Sequence, residues 1–238
     1  MKFKILFVAA LFILSFFACK KNKWPCLHAK GNIITNSIDK SGFKKINFET
    51  EGTIYLKHDS VYSITITASE NIIDKIVFET NGDALNIFSK RCLGEKSDVI
   101  IRISSPEINS ISTSGSGIIS MLDTISAELL EFQVSGSGAI NANAIVANTT
   151  AKISGSGSIT LNGSSTNLDI DISGSGDVHA FHLFSKTCSI IISGSGNAEV
   201  NAEESLVVTI SGSGNVYYQG KPALNIDVSG SGSIVDSN

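Results

Sequence analysis

A Ser-Gly-Ser-Gly quartet begins at Ser114 and returns at Ser135, Ser154, Ser173, Ser193, Ser211 and Ser229, in steps of 21, 19, 19, 20, 18 and 18 residues. A unit that recurs this regularly, with one or two residues of slack, confines the chain to stacked coils whose turns vary in length while their strands do not. One residue before each quartet stand Thr113, Val134, Ile153, Ile172, Ile192, Ile210 and Val228, and three before stand Ile111, Phe132, Ala151, Ile170, Ile190, Val208 and Ile226. Five residues after each first Ser come Ile119, Ile140, Ile159, Val178, Ala198, Val216 and Ile234. The apolar set and both glycines therefore share one parity and the serines take the other. Successive side chains of a strand point to opposite faces, so the pattern predicts an aliphatic inner wall and a hydroxyl-lined outer one. Glycine at two inward positions per tier leaves room for a backbone bend or for close approach of the opposite wall.

The fold class this implies is all-β, a parallel β-helix with coils of 18 to 21 residues. Stacked at about 4.8 Å per tier, the quartets form two columns of hydroxyls on the outside. Two other readings of Gly-x-Gly fail. A phosphate-cradling loop needs a helix N-terminus behind it, and a flexible linker lacks the β-branched residues that bracket each copy here.

Residues 1–18 have the parts of an export signal: Lys2 and Lys4, an apolar run from Ile5 to Phe17, and a small residue, Ala18, before Cys19. The run is short for a transmembrane helix. Ser15-Phe16-Phe17-Ala18-Cys19 is similar to a lipobox, in which the cysteine becomes the lipid-modified N-terminus. A lipidated Cys19 would hold the chain at a membrane, because each buried acyl methylene contributes about 0.8 kcal/mol. Residues 19–30 then form a tether carrying Lys20, Lys21, Lys23 and Lys30. It has no acidic residue, which favours a periplasm-facing anchor on the outer membrane over surface exposure. Loss of residues 1–18 moves the formal charge from −4 to −6, since two lysines leave and no acid does. A mildly acidic body argues against nucleic acid as a partner.

Export to an oxidising compartment permits a disulfide. Cys26 lies ahead of the first strands and Cys92 follows Leu85-Asn86-Ile87-Phe88, both in polar connecting sequence, so these two are the expected pair. Cys188 falls on the inward parity and reads as a buried free thiol. Residues 31–112 lack the quartet but alternate in the same way, at Ile46 and Phe48, Ile54 and Leu56, Ile64 and Ile66, Ile76 and Phe78, and Val99, Ile101 and Ile103. Gly31-Asn32, Gly52-Thr53, Asn81-Gly82-Asp83 and Ser105-Pro106 supply turns, and one helical turn fits Ser69 to Lys75. This stretch is read as the opening coils and cap of the same solenoid. Residues 113–235 are its repeat coils and 236–238 a polar tail.

Phe43-Lys44-Lys45-Ile46, Gly82-Asp83-Ala84-Leu85-Asn86-Ile87, Pro106-Glu107-Ile108, the serial quartets and Gly220-Lys221-Pro222 closely resemble the head GIN domain of putative auto-transporter adhesins. The resemblance spans about residues 43 to 235. It implies an exported bacterial protein, often a lipoprotein, built as a right-handed single-stranded parallel β-helix, and it brings no catalytic residues. Glu49-Thr50-Glu51-Gly52 departs from the more glycine-rich segment expected there.

Because some parallel β-helices are polysaccharide lyases, chemistry has to be read from side chains and not from fold. Stacking the coils sets Glu131 and Asp169 on either side of Thr150, Asp171 beside Lys152, and His179 between Thr160 and Glu199. Each is a single pairing, as on a solvated face, so no catalytic residue and no cofactor is expected. His179 and His182, three apart in a strand, should point to opposite faces and share no metal. Asp177, Asn197 and Asn215 should stack as a polar ladder after the quartet. The candidate binding surface is the outward column Ser135, Ser137, Ser154, Ser156, Ser173, Ser175, Ser193, Ser195, Ser211 and Ser213, with Tyr217 as aromatic surface. It suits a glycan or protein ligand. Asp59-Ser60-Val61 and Asp123-Thr124-Ile125 also resemble an acidic-hydroxyl-aliphatic site for O-glycosylation. The leading expectation is a non-catalytic envelope lipoprotein acting as an adhesin or ligand-binding module. A structural or assembly protein without a ligand comes second and a polysaccharide-active enzyme third. No pattern specifies an oligomer, although terminal coils expose unpaired strand edges.

Overall fold

The structure is a computed structural model that describes residues 25–94 and 97–238. The expected export signal and Cys19 lie outside the described residues. Among the described residues sixteen strands form one sheet that winds into a solenoid of about seven turns.

Its regular part is five long strands, β9 (Ile118–Val134), β10 (Ala139–Ile153), β11 (Ser158–Ile172), β12 (Asp177–Ile192) and β13 (Ala198–Ile210), stacked in parallel in chain order. Equivalent residues face one another from tier to tier. Ile140 pairs with Ile119 and Ile159, and Ile153 with Val134 and Ile172. The quartets lie between the strands as bends, and inside-outside alternation continues through them. The inner column Ile140, Ile159, Val178, Ala198 and Val216 is wholly buried, while every quartet serine is exposed. This is the aliphatic wall with a hydroxyl exterior that the parity predicts.

The glycines serve a different close approach from the one expected. A Cβ on Gly155 would collide with the carbonyl oxygen of Gly136, and one on Gly174 with that of Gly155, so the neighbour that excludes a side chain is the tier below and not the opposite wall. Only the second glycine of each quartet up to Gly214 is fully buried; the first is half-buried. None has a positive φ, which makes the requirement one of space and not of backbone conformation.

The N-terminal part supplies two more coils and a cap, in an order that departs from simple stacking. β2 (Lys45–Glu49) and β3 (Thr53–His58) form one coil, and β6 (Ala84–Ser89) and β7 (Ile100–Ser105) another. β8 (Ser110–Thr113) leads into β9. On one side the strands stack β6, β2, β8; on the next they stack β7, β3, β9. The first coil in sequence is thus sandwiched between the second and the third. Beyond β6 and β7 the cap turns antiparallel: β4 (Ser63–Ser69) pairs with β7, β5 (Ile76–Asn81) with β6, and β1 (Ile33–Ser37) with β4. Asn81-Gly82-Asp83 closes the β5–β6 hairpin, with Gly82 at φ 59°. The expected helical turn is α1 (Glu70–Ile73), which buries Ile72 and Ile73. Cys26 and Cys92 are bonded through their sulfurs, and the neighbouring Leu27 bridges Leu93. The other end of the stack holds β14 (Val216–Gln219), β15 (Ala223–Val228) and β16 (Ile234–Asp236).

Candidate functional site

Step length between quartets decides where the smooth wall breaks. The coil carrying β12 takes 20 residues before the next quartet, and the coil carrying β13 takes 18. The pairing absorbs the difference of two in two opposite shifts, three residues extra on β12 before Phe184 and one given back between Ser185 and Thr187, where Lys186 stands against Glu203 and Glu204. Ala180 faces Val200, then the register jumps so that Phe184 faces Asn201, leaving residues 181–183 without opposite numbers. Leu183 turns into the core, at 0% exposed, and Phe184 is pushed out, at 63%. Such a bulge re-aims a side chain at the point where pairing slips.

Beside this bulge lies a groove of about 720 Å³ that crosses five coils. Ile145, Ser164, Phe184 and Asn201 form one outward column along it. Ile145 is 55% exposed, so two large apolar side chains flank the small Ser164 two tiers, or about 9.6 Å, apart. Thr166, Lys186, Glu203 and Lys221 line the remainder. Lys186 Nζ lies 3.8 Å from Glu204 Oε1 in an exposed pair. Gly220, at φ 97°, is held by Asn238, whose side chain accepts from its N–H and donates to its C=O, both at 2.9 Å. The floor is fixed by buried hydroxyls: Thr149 Oγ1 donates to Ser165 Oγ (2.9 Å), Ser165 Oγ to the Asn167 carbonyl (2.7 Å), and Ser185 Oγ to the Asn201 carbonyl (2.8 Å).

None of the quartet serines lines this groove. They form straight exposed columns on another corner, where Ser154 and Ser173 border a shallow hollow of about 170 Å³ with Gln133, Lys152 and Asp171, and Ser116 borders two hollows beside the N-terminal coils. Tyr217 is half-buried between Glu199 and Val235 of the adjacent tiers. Its neighbour Tyr218 packs against the core, where burial and then the Asp236 carboxylate raise its phenol above the ordinary range.

The polar columns form as read. Thr150 separates Glu131 from Asp169, and Lys152 faces Asp171 but reaches Glu131, at 3.2 Å. His179 Nδ1 lies 2.9 Å from Glu199 Oε2. Asp177 Oδ1 accepts from Asn197, Asn197 Oδ1 from Asn215, and Asn215 Oδ1 from Ser233, extending the ladder by one rung. One expectation is corrected. His179 and His182 are both exposed, because the bulge at 181–183 breaks the alternation that would have set them on opposite faces. Among the described residues, no three His, Cys, Asp or Glu side chains are grouped to hold a metal ion. Cys188 is buried, which pushes its thiol well above the ordinary value. No described helix is long and apolar enough to cross a membrane.

Over residues 42–222 the chain matches the family described as putative auto-transporter adhesin, head GIN domain. The chain belongs to this family. Membership points to the cell envelope or the extracellular space. Among curated proteins none matches the chain. It is similar in fold to a solved putative adhesin from Bacteroides fragilis, with a TM-score of 0.83 at 22% identity, covering 87% of this chain and 98% of the other. It is also similar to a putative lipid binding protein from Parabacteroides distasonis (TM-score 0.75, 24% identity, 90% and 100% covered). A putative adhesin from the same organism gives 0.71 at 23% identity, with 88% and 99% covered. At these identities the likeness is one of fold.

Proposed function

We propose that this head GIN protein is a lipid-anchored, non-catalytic adhesion module of the cell envelope whose groove holds a glycan. The observation that carries the reading is Phe184, an aromatic side chain thrust into solvent at 63% exposure by a built-in bulge, above a wall of hydroxyl, amide and charged groups. Large exposed apolar side chains set in a concave polar surface mark binding sites. A sugar ring has the matching chemistry, with C–H faces that pack on Phe184 and Ile145 and hydroxyls that bond Ser164, Asn201 and Glu203. The lining offers one carboxylate, Glu203, whereas glycoside hydrolysis uses a pair. That favours holding a polymer over cutting it.

The test is a screen of the purified protein against bacterial and host glycans, with release of reducing ends followed in the same wells. Binding without turnover is expected. Phe184→Ala should weaken it at least about tenfold, equivalent to ~1.4 kcal/mol, while Ser154→Ala on the quartet corner leaves it unchanged. Polymer cleavage, or binding indifferent to Phe184, would overturn the reading.

A further inference from the structure

The last coil is left open in a way the rest of the molecule is not. In β13, Leu206, Val208 and Ile210 are 0–1% exposed, yet the side chains stacked on them in β15, Leu224, Ile226 and Val228, are 45%, 43% and 37% exposed. At the other end the same core is covered by the antiparallel strands of the cap and by α1. The backbone is open as well. Among the described residues β15 is paired on one edge only. Ser229 N–H donates to the Ile210 carbonyl (2.8 Å), so odd-numbered residues turn their amides toward β13. Strand amides alternate sides, which puts the N–H and C=O of Leu224, Ile226 and Val228 on the free edge.

We propose that this edge is a self-association surface and that its partner is a second copy of the chain, joined tail to tail. Two identical edges related by a two-fold axis pair antiparallel, and for their inner walls to stay continuous the axis must pass through a residue, not between residues. With the axis at Ile226, Ile226 meets its own copy and Leu224 meets Val228. Every free N–H and C=O of the three residues then bonds across the junction. Asn225 meets Asp227, an amide against a carboxylate. Moving the axis to Asp227 would set two carboxylates face to face. Moving it to Asn225 would bring Pro222, which has no N–H, into the ladder. The complementarity of this edge is thus to itself, in one register, and a head-to-tail contact would meet a covered core instead. The pair is a rod of double length with its disulfide-pinned N-terminal segments at opposite ends. If each copy is anchored as proposed above, the rod joins two facing membranes; that consequence alone rests on the anchoring, and none of the pairing rests on the groove.

Sedimentation velocity of the full chain in detergent should show a monomer-dimer equilibrium that Ile226→Lys shifts at least tenfold toward monomer, with the far-UV spectrum unchanged. The register has its own readout. Opposed Cα atoms in a hydrogen-bonded antiparallel pair are about 5.5 Å apart, within disulfide reach. Ile226→Cys should therefore yield a reducible covalent dimer on oxidation, and Val228→Cys, which faces Leu224, should not. A chain that stays monomeric at every concentration, or that cross-links as readily from position 228 as from 226, would overturn the proposal. Glycan binding is scored on separate residues, so either reading can fail alone.

Discussion

At Gly176 an added methyl group would collide with the Gly157 carbonyl and lie 2.7 Å from Ile153 Cγ2, both belonging to the tier below. Neither neighbour can yield. The carbonyl is fixed in the stack, and Ile153 is packed at 1% exposed. Ser175, one residue earlier, points into solvent and contributes little beyond its hydration. Gly176→Ala should accordingly destabilise the protein by on the order of 3 kcal/mol, the cost of overpacking a rigid site. Ser175→Ala should stay within about 0.5 kcal/mol. Denaturant unfolding of the two variants measures the difference, and equal costs would mean that the stack yields to the added methyl group and that close approach of the tier below is not what requires glycine. The two residue types of the quartet thus have separate reasons: glycine lets carbonyls stack along the axis, and serine faces water.

Among the elements, the coils were legible in the sequence and the cap was only partly so. Period-two alternation places β2 to β5 and β7 without reference to anything distant, and quartet spacing places β9 to β13. The order of stacking is not encoded in any local pattern. Nothing in Ile46 or Phe48 says that β2 will lie between β6 and β8, because each of those strands presents the same alternating face. The groove did have a signal, the change of step from 20 to 18 residues. Read as slack in a turn, it gave no warning that the excess would be taken up as a bulge carrying Phe184. The cap is where a covalent constraint adds most. Cys26 and Cys92 close a span of 66 residues, and a loop of that size gives about 4 kcal/mol by chain-entropy reckoning. Cys92 is exposed and open to reductant. Dithiothreitol should lower the unfolding free energy by about 2–4 kcal/mol, and a Cys26→Ser/Cys92→Ser variant should be equally destabilised but indifferent to reductant. No loss on reduction would mean that the Leu27 to Leu93 bridge and the packing around it suffice.

For the whole molecule, the interleaved coil changes how stability should be distributed. A plain solenoid unravels from either end, because each terminal coil has one neighbour and each inner coil two. Here the coil formed by residues 45–58 comes early in sequence but is internal in space, held by β6 and β7 on one side and by β8 and β9 on the other. It can open only after the cap above it has left or the repeat coils beneath it have separated. The far end has no such lock, since among the described residues β15 and β16 are each paired on one edge. Hydrogen exchange should therefore disregard chain order. The bonded amides of β2 and β3 should exchange as slowly as those of β10 and β11, while those of β1, β15 and β16 exchange at least about a hundredfold faster, as expected of locally opening edges. The comparison is best made on the monomeric Ile226→Lys chain, so that tail-to-tail pairing does not protect β15. If β2 and β3 instead exchanged together with β1, the interleaved coil would have to come free without its neighbours, and the stacking order drawn from the strand pairing could not hold in solution.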